Sequence, residues 1–471
     1  MKDLLSSLFI VMLFCSCKQT SSIVQLNKSQ IEKSKKLDSL YSEMLKYGEF
    51  NGNVLIAEND TIILQKSYGV ANREKLITLN TNSIFNLASI TKQFTATAIY
   101  LLANENKLSL DDDLTKFLPE LQYYKGITIN HLIHHTSGLP DYMNLYNEKG
   151  DQSKLATNDY IIELFAKEKP ELLFKPNEKW NYSNTGYVLL ASIIERVSQT
   201  SYPVYLRERI FIPLAMTQTN VYCIHKDNLN VKNLAIGYEE DASGNYLGNI
   251  AYAKSFDGVY GQGRIYSTTS DLFKWLKGLK RNQLLSAAQT KSLFTNYQLN
   301  SGENTNYGFG WFLNTHKDYG NYIDHTGNWA GYITLIEQHL DNNKTVIMLQ
   351  NNGNATRKTK IPFVNTQKIM YDQKIEPNLR LSDEILNKYA GIYISEKGSE
   401  TKIECKDKAL WVTMNSTMKF ELIPNTTTKF TVDGFSPTVT YEFISNSEGV
   451  IEKCIVQQPA QGIDLTLKKK N

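Results

Sequence analysis

Apolar residues recur at helical spacing first at Ile31, Leu37, Leu40, Met44 and Leu45, which predicts an amphipathic helix. In "GNVLIAENDTIILQKSYG" two β-branched runs flank Glu58, Asn59 and Asp60, the pattern of a β-hairpin. A second helical stripe, Phe94, Ala98, Leu101 and Leu102, follows a start near Ser89, with Asn86 and Ser89 as capping candidates. Residues 120 to 260 read as loop-rich, with short helical stretches at 187–197 and 203–210, and "DLFKWLKGLK" reads as another amphipathic helix. Strand patterns return at "YGFGWFL", "YIDHTGNWAGYITLIEQ" and "KTVIMLQNN", so both ends of this region are expected to build one antiparallel sheet with helices against it.

From about residue 386 the period changes to eight short alternating runs, from "GIYIS" to "IDLTLK", which predict a small antiparallel barrel or sandwich. The stretch 353–385, with Pro377, reads as a linker. The expectation is an α+β domain over 29–375 and an all-β domain over 386–471.

Composition leaves this picture intact: 471 residues, 41% hydrophobic and 21% charged, suit two or three packed domains. A net charge of +3 with scattered lysines excludes a nucleic-acid stripe and leaves small molecules or peptides as partners. The N-terminus changes it more. "MKDLLSSLFIVMLFCSCKQTSS" has an apolar run from Leu4 to Phe14 too short to span a bilayer, and reads as an export signal over residues 1–17 with a tether over 18–28. Ser16 before Cys17 resembles a bacterial lipoprotein box, which implies acylation of Cys17 and a periplasmic, lipid-anchored protein, expected as a monomer. A plain secretory signal is the alternative. The remaining Cys223, Cys405 and Cys454 form no disulfide framework, and a Cys405–Cys454 pairing stays open.

The candidate chemistry lies in "FNLASITKQFTA". Ser89 and Lys92 stand three apart, on one face of a helix, where an amine can reach a hydroxyl. Ser-x-x-Lys recurs at Ser399–Lys402 and Ser416–Lys419, but in strand-rich sequence that points the pair to opposite faces. Tyr-x-Asn occurs at Tyr182–Asn184, with further copies at Tyr142–Asn144 and Tyr319–Asn321.

With "WNYSNTGYVLL" and "YIDHTGNWAGY" following in order, and with "ITINHLIHHTSGLPDY", "GQGRIYSTTSDLFKW" and "YGFGW" as flanks, residues 45 to 350 resemble the serine β-lactamase and penicillin-binding-protein superfamily, class C type. The resemblance implies a serine hydrolase working through an acyl-enzyme on Ser89, with Lys92 and Tyr182 moving protons and Asn184 orienting them. It also implies an oxyanion hole from the backbone of Ser89 and Asn328, on a strand carrying Thr326 and Gly327. The third motif begins with His325 where the penicillin-recognising pattern has lysine; a mostly neutral imidazole holds a carboxylate poorly, which favours an ester or D-amino-acid peptide-like substrate. A β-lactamase or D-Ala-D-Ala carboxypeptidase, and a non-catalytic cell-wall or partner-binding lipoprotein, stay open as alternatives. His131, His134 and His135 lack the His-Glu-x-x-His pattern of a zinc site, and no Gly-x-Ser-x-Gly elbow or phosphate loop is present, so neither metal nor cofactor is expected.

Overall fold

The structure is a computed structural model that describes residues 25–240, 245–248, 251–353, 361–375, 379–406, 408–414, 418–432, 439–458 and 462–470. The stretch read as an export signal, Cys17 and most of the stretch read as a tether lie outside the described residues. Helix α1 (Lys28–Lys46) starts on a capping box between Asn27 and Gln30; of the expected stripe it buries Leu37, Leu40 and Met44, together with Tyr41, whereas Ile31 and Leu45 are exposed. Strands β1 (Gly52–Glu58) and β2 (Thr61–Tyr68) form the hairpin. Its two-residue turn, Asn59 and Asp60, has positive φ at both positions, as a turn matched to strand twist requires.

Four strands at the far end of the domain complete the sheet: β3 (Phe312–His316), β4 (Gly320–Trp329), β5 (Tyr332–His339) and β6 (Lys344–Gln350). Their order is β3-β4-β5-β6-β1-β2, and β1 runs antiparallel to β6 from Gly52 opposite Gln350 to Glu58 opposite Lys344. The first and last strands are therefore central neighbours. Every residue of β1 is buried, which explains a continuous apolar run where an alternating one marks a half-exposed strand. β4 and β5, one unbroken run in the sequence, are separated by a turn in which Ala330 and Gly331 both have positive φ.

Between β2 and β3 the chain builds the helical lobe. Its centre is α2 (Thr91–Asn104), buried on nearly all sides, with Phe94 packed 4.4 Å from the ring of Trp275. Alongside it runs α3 (Asn184–Ser198), capped by the Ser183 hydroxyl, and α4 (Thr269–Lys280), capped by Thr268. One expectation is corrected here. The helix does not begin at Ser89: Ala88–Ile90 form a 3₁₀ turn and α2 starts at Thr91. Asn86 Oδ1 accepts from the Ala88 N–H and Ala88 takes a positive φ, so the local Asn turn wins over an ordinary helix cap.

The chain divides into compact units ending at Phe363 and beginning at Val364. Within the stretch read as a linker the structure has a helix, Phe363–Met370, and at its end a second one begins, α5 (Asp383–Tyr389). Pro377 had suggested irregular chain, but it lies outside the described residues and neither helix crosses it. The second unit holds a closed barrel, β7 (Gly391–Ser395) through β8 (Glu400–Lys406), β9 (Ala409–Met414), β10 (Met418–Pro424), β11 (Lys429–Val432), β12 (Thr440–Ser445), β13 (Ile451–Gln458) and β14 (Ile463–Lys469), with β14 pairing back to β7. Tyr393, Leu410, Phe430 and Phe443 fill it and Leu386 and Tyr389 of α5 join the same core. Cys223, Cys405 and Cys454 are all free thiols, which closes the question of a Cys405–Cys454 disulfide.

Candidate active site

Ser89 sits at the junction of the 3₁₀ turn and α2, and three chain segments converge on it. Lys92, one turn on, is fully buried, and its Nζ lies 3.1 Å from Ser89 Oγ, 2.9 Å from Asn184 Oδ1 and 3.0 Å from the Gln262 carbonyl oxygen. Burial holds the ammonium well below the ordinary lysine range, against an opposing pull from Asp141. A neutral amine has two protons and one lone pair. The Asn184 and Gln262 carbonyl oxygens can only accept, so in the neutral form of the amine they take both protons and leave the lone pair for the Ser89 hydroxyl. The geometry is that of a serine with its general base in place.

Tyr182 completes the near side, its hydroxyl hydrogen-bonded to Ser89 and its ring face 4.8 Å from Lys92 Nζ. Burial raises the phenol above its ordinary range, with the Ser89 hydrogen bond opposing, so Tyr182 is a protonated group in the resting site. Asn184, as the first residue of α3, and Lys92, from the first turn of α2, are brought together because the two helices pack against each other.

The third expected motif is on β4. β3 pairs with β4 only as far as Asp324, opposite Phe312, which leaves His325–Trp329 as an open edge beside Ser89. Gly327 approaches the nucleophile turn closely: a Cβ there would stand 2.5 Å from the Leu87 oxygen and 2.9 Å from Ala88 Cβ. Asn328 lines the cleft next to Ser89, as do Tyr142, Met143, Gln262, Arg264 and Trp329.

Two sequence-predicted residues are placed otherwise. Thr326 is exposed and is not among the residues that line the cleft. His325 is brought beside Tyr182, with ring centroids 6.1 Å apart, but faces inward and is only 2% exposed. Its Nδ1–H donates to the Thr326 carbonyl at 2.6 Å and its Nε2 meets the Tyr307 hydroxyl at 3.1 Å. Burial first, then nearby Lys92, push it down to about 3, so it is a neutral ring holding structure and not a cation offered to a ligand.

Sequence reasoning missed Gln262, Arg264, Tyr307 and Trp329 as site residues. The signal for the first two was the flanking "GQGR". Gly261, at φ +106°, passes so close to α3 that a Cβ would lie 2.3 Å from the Tyr187 oxygen, and this approach delivers the Gln262 carbonyl to Lys92. Gly310 of "YGFGW" likewise lies against α2, where a Cβ would meet Gln93 N at 2.6 Å. Arg264 lines the cleft but its charge is answered within it, by Asp257 at 3.2 Å and the ring face of Trp329 at 5.2 Å. Among the imidazoles weighed for metal, His131 accepts from the Thr128 N–H and His134 bonds the Asn130 carbonyl and stacks on Tyr297.

A family model described as Beta-lactamase matches residues 37–365. Penicillin-binding protein 4* of Bacillus subtilis is 35% identical over 423 residues, covering 87% of this chain and 94% of that one. Among solved structures, the octameric penicillin-binding protein homologue from Pyrococcus abyssi covers 92% of this chain and 99% of its own at a TM-score of 0.66 and 24% identity. The D-amino acid amidase from Ochrobactrum anthropi SV3 covers 72% of this chain and 99% of its own at a TM-score of 0.60 and 22% identity. These two structural likenesses establish the fold.

Proposed function

The chain belongs to the beta-lactamase family of serine hydrolases, and from that premise we propose that it cleaves an ester or a D-amino-acid-containing amide through an acyl-enzyme on Ser89. The observation that carries this reading is the fully buried Lys92 amine 3.1 Å from Ser89 Oγ, its ammonium form disfavoured by burial and its other contacts made to the Asn184 and Gln262 carbonyl oxygens. In the first step Oγ attacks the substrate carbonyl carbon while its proton passes to Lys92, and the oxyanion forms between the 3₁₀ turn and the open edge at Asn328. The tetrahedral species then collapses, Tyr182 gives its proton to the leaving oxygen or nitrogen, and the neighbouring Lys92 ammonium returns a proton to the tyrosine oxygen. Water reverses the same transfers and releases the acid.

Substrate class follows from charge. Around the cleft, burial disfavours the Lys92 ammonium, Arg264 is paired with Asp257, and His325 is neutral and turned inward. The walls are instead aromatic and amide, from Tyr142, Met143 and Trp329 to Asn184, Gln262 and Asn328, which suits an apolar acyl group on a peptide-like or ester bond. The D-amino acid amidase of the same fold supports the amide arm.

A panel of an uncharged p-nitrophenyl ester, D-phenylalanine amide, a D-Ala-D-Ala peptide and a chromogenic cephalosporin tests the reading. The expected order places the first two above the carboxylates by at least about tenfold in kcat/KM, the equivalent of one missing charged hydrogen bond. Faster turnover of the cephalosporin would contradict it. We also propose that the chain is exported and held on a membrane by lipid on Cys17, from its N-terminal pattern. Cys17→Ala is expected to move the protein to the soluble fraction, and persistence in the membrane fraction would contradict the anchor.

A further inference from the structure

The segment that carries the catalytic tyrosine is held on both sides by one residue. The Asn181 N–H donates to the His135 carbonyl at 2.9 Å, and the Ser183 N–H donates to His135 Nδ1 at 3.0 Å. Between them, Tyr182 lies against the imidazole face, with ring centroids 4.4 Å apart and an interplanar angle of 35°. His135 is 0% exposed and has φ +59°, a left-handed conformation that costs a non-glycine residue on the order of 1 kcal/mol. That conformation is what turns its carbonyl and its ring toward the same three residues.

The hydrogen-bond pattern fixes the state of the ring. Because Nδ1 accepts from a backbone donor, the proton of the neutral ring is on Nε2, which has no hydrogen-bond partner among the described residues. An imidazolium would set a second proton against the Ser183 N–H, and complete burial opposes that charge. The ring is an acceptor and a platform, with no route to the cleft of its own.

We propose that His135 is the positioning residue of the catalytic tyrosine: its carbonyl and Nδ1 clamp the backbone on either side of Tyr182 and its ring sets the phenol against Ser89. This rests on the serine hydrolase reading and extends it to a residue that does not touch substrate. Sequence spacing alone assigns His135 only a place in a structural segment.

The test uses the full chain. His135→Phe keeps an aromatic ring and removes the acceptor, whereas His135→Asn keeps an acceptor near the Nδ1 position and suits the left-handed backbone. In His135→Phe, kcat for an uncharged ester and the rate of fluorophosphonate labelling at Ser89 are both expected to fall by roughly 100-fold, with KM changed by less than roughly threefold. His135→Asn is expected to recover at least about tenfold of that loss. In a Tyr182→Phe background His135→Phe should cost almost nothing further, because its effect runs through the tyrosine. Wild-type rates in His135→Phe, or full additivity with Tyr182→Phe, would overturn the assignment. Should His135→Phe fail to fold in a thermal melt, imidazole ¹⁵N NMR of the wild-type chain decides: Nδ1 is expected bare and Nε2 protonated, and a protonated Nδ1 overturns it. A wild-type chain that the probe never labels refutes the hydrolase reading itself, whereas a labelled wild type with an unchanged His135→Phe rate refutes only the positioning role.

Discussion

Lys92 is the residue on which the chemistry turns, and its state has a direct pH signature. Its folded pKa lies below its unfolded one, so the ammonium is the disfavoured form in the folded chain. Stability from this group is therefore fully present above the unfolded value and is lost as pH falls toward the folded one. The rate follows the same direction: kcat/KM for an uncharged ester should rise with pH as Lys92 loses its proton, and a rate that falls as pH rises would mean that the ammonium is the working form. His325, neutral above about 3, should contribute no limb to that profile. Lys92→Met should reduce kcat by roughly 1,000-fold or more while the fold persists, measured by single-turnover kinetics beside a thermal melt. Ser89, Lys92, Tyr182 and Asn184 were legible in the sequence because each pair is close along the chain. The inward turn of His325 and the clamp of His135 on Asn181 and Ser183 were not, since both depend on segments that meet only in three dimensions.

At the scale of elements, short glycine approaches set the distances between helices and strands. Gly310 has φ +79° and its missing side chain would press on Gln93 N and the carbonyl carbon of Lys92. Gly310→Ala should destabilise the chain by about 2–3 kcal/mol, from backbone strain plus the clash, and should slow labelling of Ser89 because the displaced element is the one that carries Lys92. A melting temperature and labelling rate equal to wild type would contradict this. Gly302, also at positive φ but with nothing near its Cβ position, is the control: Gly302→Ala should cost only about 1 kcal/mol and leave labelling unchanged. The sequence showed "YGFGW" and "GQGR" as segments worth noticing but not their contacts. It placed α1, the hairpin, α3 and α4 well, because amphipathic period and cap residues are local. It missed the 3₁₀ start before α2, where the Asn86 turn and the strained Ala88 override the helical pattern, and the helices Phe363–Met370 and Asp383–Tyr389, which are too short to give a clear period.

For the whole molecule, the sheet ties the ends of the catalytic unit together, since β1 lies between β2 and β6, while every residue placed in the cleft falls between Ala88 and Trp329. The barrel has a core of its own and contributes none of them. A chain ending at residue 380 should therefore turn over an uncharged ester within roughly threefold of the full chain, and a complete loss in a folded truncation would assign the barrel a part in catalysis. Barrel and sheet were readable from strand count and period, and the pairing of β14 with β7 closes the barrel that those eight runs predict. The central claim concerns one oxygen atom. Intact-mass analysis after a fluorophosphonate probe, with peptide mapping, should show a single adduct on Ser89 that is absent in Ser89→Ala and strongly slowed in Lys92→Met. No adduct on the folded wild-type chain, or one on another residue, would contradict an activated Ser89 and return the protein to the binding-only alternative.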